Sequence, residues 1–353
     1  MVFVMTMVLV SIQLHGQTRV LDVTDSLPIA KATVIDASGR VVGMTDSRGH
    51  LPKNVVLKKN FSIRHIAYQT LMVEQLLQND SLLFMTPAMF GLSEVKVTSA
   101  KLEYLYLRSF FRLYQQRDSV LEFYREGYLD SFLKLKKNSG KEKIVRQRTL
   151  CDKNVDLSNQ KNILHDMVCL VIMEPSLVGK PIVQYLRKKE LEQNEDTLVY
   201  RKRNGNEAGF IHVNHDAGIT IAQRDYIAFQ KDHSYNLWGL KILGLRDFEI
   251  TCNEGMEVYT SIGEDVDYKS LQSYIDKMEV NIRTKKRGKY KVYCFLESYV
   301  VDRRLLTKEQ MKQMWNKPEP VDEDLKKEFV PQMGKVYEEK IKEMVRFRPK
   351  ISK

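Results

Sequence analysis

The sequence predicts a mainly β or α+β protein, in which a small N-terminal β-sandwich precedes a larger domain rich in antiparallel sheet, with helices at its C-terminal end. Three observations predict this fold class. Residues 17–100 contain short apolar runs separated by turns. The following region contains longer segments in which aromatic and polar residues alternate. Late in the chain, Thr-Lys-Glu-Gln at residues 307–310 forms a capping-box pattern that opens a helix.

Length and composition indicate an ordinary globular protein. A chain of 353 residues is long enough for two domains, and each could bury its own core without disulfide staples. Its formal net charge of +11 is high enough to indicate an anionic neighbour.

Residues 1–16 are typical of a secretory signal peptide. The apolar run from Val2 to Val10 suits a signal-peptide core and is too short to span a bilayer, and Gly16 offers a small residue for cleavage. No Lys or Arg precedes the apolar run, so a buried N-terminal strand is the alternative. We therefore expect an exported protein, periplasmic or associated with the outer membrane, whose mature chain begins near Gln17.

The first part of the mature chain is predicted to form short strands. The stretch VVGMTDSRGHL places Asp46 and Gly49 in a turn, because an Asp carboxylate accepts hydrogen bonds from nearby backbone N–H groups and Gly tolerates a positive φ. The apolar, β-branched runs predict strands at residues 33–35, 41–44, 61–66, 71–73, 82–85 and 95–98.

A spaced set of residues in this region has a recognisable pattern: Pro28, Gly39, Thr45, Asp46, Gly49 and Tyr68. Together they resemble the carboxypeptidase-like regulatory domain, a small transthyretin-like β-sandwich common in exported proteins of Bacteroidota. The resemblance covers about the first quarter of the chain. Leu51 and Ala67 depart from it, because the family usually has an aromatic residue and a Gly at these places. The resemblance implies a structural, non-catalytic module that often precedes outer-membrane receptors or other envelope domains.

Residues 101–353 are predicted to form a second, β-rich α+β domain of unknown function, with a helical tail from about residue 307. Aromatic residues in EYLYLRSFFRLYQ fit both the strand and the helix period, and we favour strands. Residues 332–346 are amphipathic and predict a helix. Further strands are expected at residues 197–202, 209–213, 219–224, 247–251, 257–261, 278–283 and 289–302.

No local motif predicts catalysis, a cofactor or a metal. The sequence contains no H-x-x-E, H-E-x-x-H, G-x-S-x-G or phosphate-loop pattern. His212, His215 and Asp216 are the densest group of metal-ligand types, but GFIHVNHDAGIT predicts strand and turn. We expect solvated turn residues there, with a metal site as the alternative.

The four cysteines show no redox or zinc spacing. Export would permit disulfides, but the wide separation does not resemble a disulfide scaffold, and buried free thiols are favoured. The residues are Cys151, Cys169, Cys252 and Cys294.

Two strongly basic segments, 134–148 and 283–291, are expected to be loop-like hairpins. Solvated lysine-rich loops are one interpretation, and contact with an anionic lipid or glycan surface of the envelope is the other. Nucleic acid is not expected as a partner of an exported protein. The sequence thus predicts a non-catalytic envelope adaptor or binding module, with a hydrolase whose dispersed active site lies in residues 101–353 as the alternative.

Overall fold

The computed structural model describes residues 18–347 apart from 54, 56–58, 77–81, 89–100, 119, 138, 156–172, 180, 195, 203, 228–244, 264–265, 285–287, 323 and 325–328. The fold is mainly β, as the sequence predicts, with large antiparallel sheets and few helices. Within the described ranges, no helix is long and apolar enough to cross a membrane. The predicted signal peptide at 1–16 and the predicted strand at 95–98 lie outside the described residues.

Six short strands build two small sheets near the N-terminus: β1 (Arg19–Asp22), β2 (Thr33–Asp36), β3 (Val41–Met44), β4 (Lys59–Arg64), β5 (Leu71–Gln75) and β6 (Leu82–Met85). Four strands form an antiparallel sheet in the order β3-β2-β4-β5, and β1 pairs with β6 in parallel. Side chains from both sheets, including Val20, Val34 and Phe61, are buried in one core. We call this unit the sandwich. The sequence did not predict β1.

One large antiparallel sheet contains eleven strands: β7 (Tyr104–Arg117), β8 (Val120–Lys134), β9 (Gly140–Cys151), β10 (Glu192–Asn194), β11 (Thr197–Arg201), β12 (Glu207–Asn214), β13 (Ile219–Asp225), β14 (Leu245–Tyr259), β15 (Leu271–Thr284), β16 (Gly288–Leu306) and β17 (Val345–Arg346). The strand order is β10-β11-β12-β13-β14-β15-β16-β7-β8-β9-β17. The segments predicted as separate strands at 247–251 and 257–261 belong largely to the single strand β14.

Both faces of the large sheet are covered, and β7 shows how. Phe110 and Tyr114 join the core shared with the sandwich, whereas Phe111 and Leu113 join a second core on the opposite side. We call these the front face and the back face. Because successive side chains of a strand point to opposite faces, a strand buried on both sides carries apolar residues on both and lacks a strict alternation of apolar and polar residues. This explains why the aromatic pattern fitted the helix period as well.

Residues 173–179 and 181–186 cover part of the back face. Leu177 packs into the back core, together with the apolar side chains of the short helix α1 (Ile182–Leu186). Pro181 precedes this helix, where its missing N–H costs nothing. The sequence did not predict α1.

A buried ion network joins the sandwich to the front face. Arg64 of β4 donates through Nη2 to Glu297 Oε1 and Oε2 of β16, at 3.0 and 3.1 Å. Arg112 of β7 donates to Glu297 Oε2, and the hydroxyl groups of Tyr114 and Tyr299 donate to the same carboxylate at 2.8 and 3.0 Å. Burial alone would raise the pKa of Glu297, but Arg112 and Arg64 lower it to about 2. The network therefore fixes the position of the sandwich on the sheet.

After β16, the helices whose bounds lie within the described residues are α2 (Lys308–Asn316) and α3 (Lys335–Glu343). The predicted capping box of α2 is confirmed, since the Thr307 side chain accepts from Gln310 N and the Gln310 side chain accepts from Thr307 N. The amphipathic segment predicted at 332–346 is helical only in part, because the chain leaves α3 at Met344 and pairs with β9 as β17.

The expectation that the basic segment 134–148 forms a loop is wrong for most of its length. Only residues 135–139 connect β8 to β9, and the remainder lies in those two strands. In β9 both faces carry half-buried or exposed Lys and Arg, so the strand lacks the apolar alternation that would have revealed it. Long cationic side chains are typical of strands near a sheet edge, where they discourage pairing with another chain. The second segment, 283–291, spans the end of β15 and the start of β16, with 285–287 outside the described residues.

Candidate binding cleft

The floor of a cleft is formed by a row of side chains across four strands of the front face. Asn194, Thr197, His212 and Ile221 lie directly opposite one another in the ladder from β10 to β13. Residues in such a row project from the same face and lie close together. The row is polar at the sheet edge and becomes apolar toward the centre. All four residues line the cleft.

The sandwich forms the opposite wall. Its contribution comes from residues 27–30, from Ser47 and Arg48 of the TDSRG turn, and from His65 and Tyr68. Between wall and floor lies a volume of about 350 Å³, which falls within the usual range for small-molecule sites. The cleft exists only because the two parts of the chain are held together.

The TDSRG turn, residues 45–49, shapes the rim of the cleft. Asp46 Oδ1 accepts from the backbone N–H groups of Arg48 and His50, at 2.9 and 2.8 Å. Gly49 has φ +75°, and a Cβ there would lie 2.5 Å from the carbonyl oxygen of Val20. Only glycine fits both constraints. The turn thus presents Ser47 and Arg48 beside the cleft.

The remaining residues of the family pattern have different positions. Pro28 and Tyr68 line the cleft, and Tyr68 donates its hydroxyl hydrogen to Asp22 Oδ2 at 2.8 Å. Thr45 bridges the turn by accepting from Ala32 N and donating to the carbonyl oxygen of Ile29. Gly39 lies elsewhere, against α3. Five of the six pattern residues therefore build the cleft or its rim.

A chain of polar groups leads from the loop after β1 to the cleft floor. Asp25 Oδ2 lies 3.7 Å from His212 Nε2, and His212 Nδ1 lies 3.0 Å from Thr197 Oγ1. Burial lowers the pKa of His212, while Asp25 opposes this shift. Burial also raises the pKa of Asp25, although the Leu27 N–H partly offsets it. The imidazole is therefore neutral at pH 7, with two polar partners.

His212 corrects the prediction of solvated turn residues. It lies on β12 with only 11% of its side chain exposed, whereas His215 lies in the following turn and is 63% exposed. The two histidines sit apart because the strand ends at Asn214. Among the described residues, no group of three or more His, Cys, Asp and Glu is arranged to hold a metal ion.

The cysteine prediction is confirmed for two residues. Cys151 and Cys294 are buried thiols outside any disulfide, and Cys252 is a partly exposed thiol outside any disulfide. Cys169 and its neighbour His165 lie outside the described residues.

A second, smaller cavity of about 180 Å³ lies on the back face. Glu257 and Asp276 project into it from β14 and β15. Burial raises the pKa of Glu257 to about 7, although Tyr259 and the Ile182 N–H donate hydrogen bonds to it. Burial likewise raises the pKa of Asp276 to about 6. The back face thus holds two carboxyl groups that titrate near neutral pH.

Sequence reasoning missed the residues that define both cavities. Thr197, Asp25 and Glu257 belong to no local motif. Thr197 and Asp25 meet His212 through strand pairing or contact between the two parts of the chain, and Glu257 meets the distant Ile182 N–H. The available signal was the alternation within 207–213, which places His212 on one face of a strand.

No protein-family model matches this chain, and no curated protein matches it. Among solved structures, the chain is similar to one described as "Lipid-protein interactions in lipovitellin", with 10% sequence identity and a TM-score of 0.31. The match covers 59% of this chain and spans 26% of the other chain's length. A similarity at this level carries no argument about fold or function.

Proposed function

We propose that this protein is a non-catalytic binding protein of the bacterial cell envelope, which holds a small ligand between its sandwich and its large sheet. The observation that carries the proposal is the cleft of about 350 Å³, to which both parts of the chain contribute. Its lining combines an apolar patch, formed by Phe210, Ile221 and Ile29, with a few polar side chains. This combination is characteristic of small-molecule sites.

The resemblance of the sandwich to the carboxypeptidase-like regulatory domain supports the same proposal. That module is non-catalytic and belongs to exported proteins, which agrees with the signal-peptide character of residues 1–16. Here the module would contribute one wall of a binding site.

An anionic envelope surface is the partner that we propose for β9, the basic strand near the edge of the large sheet. Lys141 Nζ and Lys143 Nζ lie 5.5 and 6.0 Å from the ring of Trp315. Lysines beside a partly exposed indole suit contact with anionic headgroups, and such contact weakens as salt is added.

Binding is tested with 2-naphthalenemethanol, a neutral probe with an apolar ring, by isothermal titration calorimetry. We expect saturable binding that weakens about tenfold in Phe210→Ala, because an apolar anchor in the cleft is lost. Phe84→Ala is the matched control, since Phe84 is 44% exposed on the sandwich surface. Equal effects of the two substitutions, or no binding to the native protein, would contradict the cleft as the site.

Export is tested separately by fractionation in a Bacteroidota host. The mature chain should begin near Gln17 and appear in the envelope fraction. Recovery of full-length chain from the cytosol would contradict export and would remove the argument for an anionic envelope partner.

A hydrolase is the second candidate, and the back-face cavity favours it. Two carboxyl groups with raised pKa values in one cavity suit general acid and general base roles. Hydrolysis of p-nitrophenyl glycosides, lost in both Glu257→Gln and Asp276→Asn, would establish this candidate. Turnover that survives both substitutions would exclude this cavity as its site.

A further inference from the structure

The charged groups of the cleft differ in whether they already have partners. Arg201 donates to Glu192 Oε2 and Glu207 Oε1, both at 3.0 Å. These two carboxylates compensate its charge. Arg48 is exposed on the TDSRG turn, and its guanidinium forms no ion pair with a carboxylate of the described residues. Of the two arginines that line the cleft, Arg201 is therefore paired, and Arg48 has no ion-paired carboxylate among the described residues.

The two histidines that line the cleft are neutral, so they add no positive charge that would compete with Arg48 for an anion. Burial lowers the pKa of His65 to about 3, so its ring is neutral. His65 Nδ1 accepts from the N–H of Ala67 at 3.2 Å, which assigns the ring hydrogen to Nε2. His212 is neutral for the same reason, because burial lowers its pKa. Both rings act as neutral hydrogen-bonding groups.

The carboxylates near the cleft are bonded to groups other than the Arg48 guanidinium. Asp46 accepts from the backbone N–H groups of Arg48 and His50, and its Oδ2 contacts His50 Nδ1. Glu207 is bound to Arg201. Asp25 lies behind His212, with its Oδ2 directed at the imidazole. This contact favours hydrogen on Nε2, so His212 Nδ1 accepts the hydroxyl hydrogen of Thr197. A ligand on the cleft floor thus meets the oxygen of a hydroxyl group rather than a negative charge.

We propose that the cleft selects small organic anions, whose apolar body lies against Phe210 and Ile221 and whose acidic group pairs with Arg48. This inference rests on the proposed binding function. A guanidinium can bind a carboxylate or a phosphate through two parallel hydrogen bonds, and a partly enclosed site strengthens the pair. The shared chemistry of the ligand is an acidic group attached to an apolar body.

The test compares three probes that share a naphthalene ring system and differ in charge: 2-naphthoate, 2-naphthalenemethanol and 2-naphthylmethylammonium. We expect the native protein to bind the anion about tenfold more tightly than the alcohol, and the cation more weakly than either. Arg48→Ala should remove the preference for the anion, so that 2-naphthoate and 2-naphthalenemethanol bind the variant with affinities within about twofold of each other. Arg48→Lys should keep part of the preference, since it keeps the charge but loses the paired hydrogen bonds.

The matched control is Arg40→Ala. Arg40 belongs to the same sandwich and is similarly exposed, but it pairs with Asp36 and does not line the cleft. It should leave all three affinities unchanged. Equal binding of the three probes in a Phe210-dependent manner would overturn the anion preference while leaving the binding function intact. A preference that survives Arg48→Ala would also overturn it. Failure of every probe to bind would overturn both proposals.

The source of the anion is distinguished by a second titration with naphthyl phosphate. Tighter binding of the phosphate than of 2-naphthoate, lost in Arg48→Ala, would assign the acidic group to a phosphate. The reverse order, with the same dependence on Arg48, would assign it to a carboxylate.

Discussion

Two buried glutamates on opposite faces of the same sheet have opposite pKa shifts. Glu297 on the front face is 3% exposed, and Glu257 on the back face is 6% exposed. Both lose solvation on burial. At Glu297, Arg112 and Arg64 reverse the effect and hold the pKa at about 2. At Glu257, the bonded groups are hydroxyl and backbone N–H donors, and the pKa rises to about 7.

The difference shows that burial alone does not determine the role of a carboxyl group. Where a guanidinium from the sandwich reaches the sheet, the carboxylate becomes part of a permanent contact between the two parts of the chain. Where neutral donors surround it, the carboxyl group can gain or lose a proton near pH 7. The carboxylate of the front face therefore stays ionised in its network with two arginines. The back face retains carboxyl groups that titrate near neutral pH.

The largest expected effect comes from removing the shared carboxylate of the front face. Glu297→Ala would leave Arg64 and Arg112 buried without their common partner. We expect a loss of about 3–5 kcal/mol in the free energy of unfolding, measured by urea denaturation. The matched control is Glu319→Ala, because Glu319 pairs with Arg304 on the surface, where their side chains are 42% and 43% exposed. An exposed pair should contribute about 1 kcal/mol or less, and equal losses would contradict the contrast between buried and exposed pairs.

The second effect concerns the pH dependence of stability. The pKa of Glu257 is raised, whereas that of Glu297 is lowered, so their contributions to stability change with pH in opposite directions. Because the pKa of Glu257 is raised in the folded protein, its contribution to stability is fully present below pH 4.5 and is lost as the pH rises through about 7. Glu257→Gln should remove this dependence, which amounts to about 3 kcal/mol for the full shift. Unfolding measured at pH 5 and pH 8 should show a smaller difference in the variant. Glu339→Gln, an exposed change on α3, should leave the difference intact. An unchanged difference in Glu257→Gln would contradict the assignment.

The third effect concerns the space within the back-face cavity. A Cβ at Gly255 would lie 2.3 Å from Tyr226 Oη and 2.9 Å from Asp276 Oδ1. Gly255→Ala should displace Tyr226, at a cost of about 1–3 kcal/mol in stability. Because the Tyr226 hydroxyl lowers the pKa of Asp276, we expect that pKa to rise above 6 in the variant. Tyr226→Phe should raise it as well, without the steric effect. Carboxyl NMR titration would measure both, and an unchanged titration of Asp276 would contradict this geometry.

The sequence predicted local features well and distant contacts poorly. The TDSRG turn was predictable because Asp46 and Gly49 carry the signal for its geometry within a few residues. The capping box at Thr307 was predictable for the same reason. The strand β16 was predicted as a single segment, 289–302, that stops short of its end at Leu306, whereas β14 was predicted only in two fragments, 247–251 and 257–261.

The cleft could not have been predicted, because its residues meet only across strands and between the two parts of the chain. Thr197 meets His212 through the register of β11 and β12, and Asp25 reaches His212 from the sandwich. The pairing of Arg64 with Glu297 joins residues more than two hundred positions apart. No local spacing records such contacts. The sequence did identify Pro28 and Tyr68, which line the cleft, but through a family pattern that predicted a structural role.

The smallest effect concerns the rim of the front-face cleft. Asp46→Ala should remove the hydrogen bonds from Arg48 N and His50 N and the contact with His50 Nδ1 at 3.0 Å. Because the Asp46 side chain is 53% exposed, water replaces part of what is lost, and we expect a cost of about 1 kcal/mol in the free energy of unfolding. The loosened turn should hold Arg48 less firmly, so the preference for 2-naphthoate over 2-naphthalenemethanol should fall. Glu74→Ala is the control, since Glu74 is exposed on β5 of the same sandwich and does not line the cleft. A variant that loses stability but keeps the full anion preference would show that the turn supports the sandwich without positioning Arg48 at the cleft.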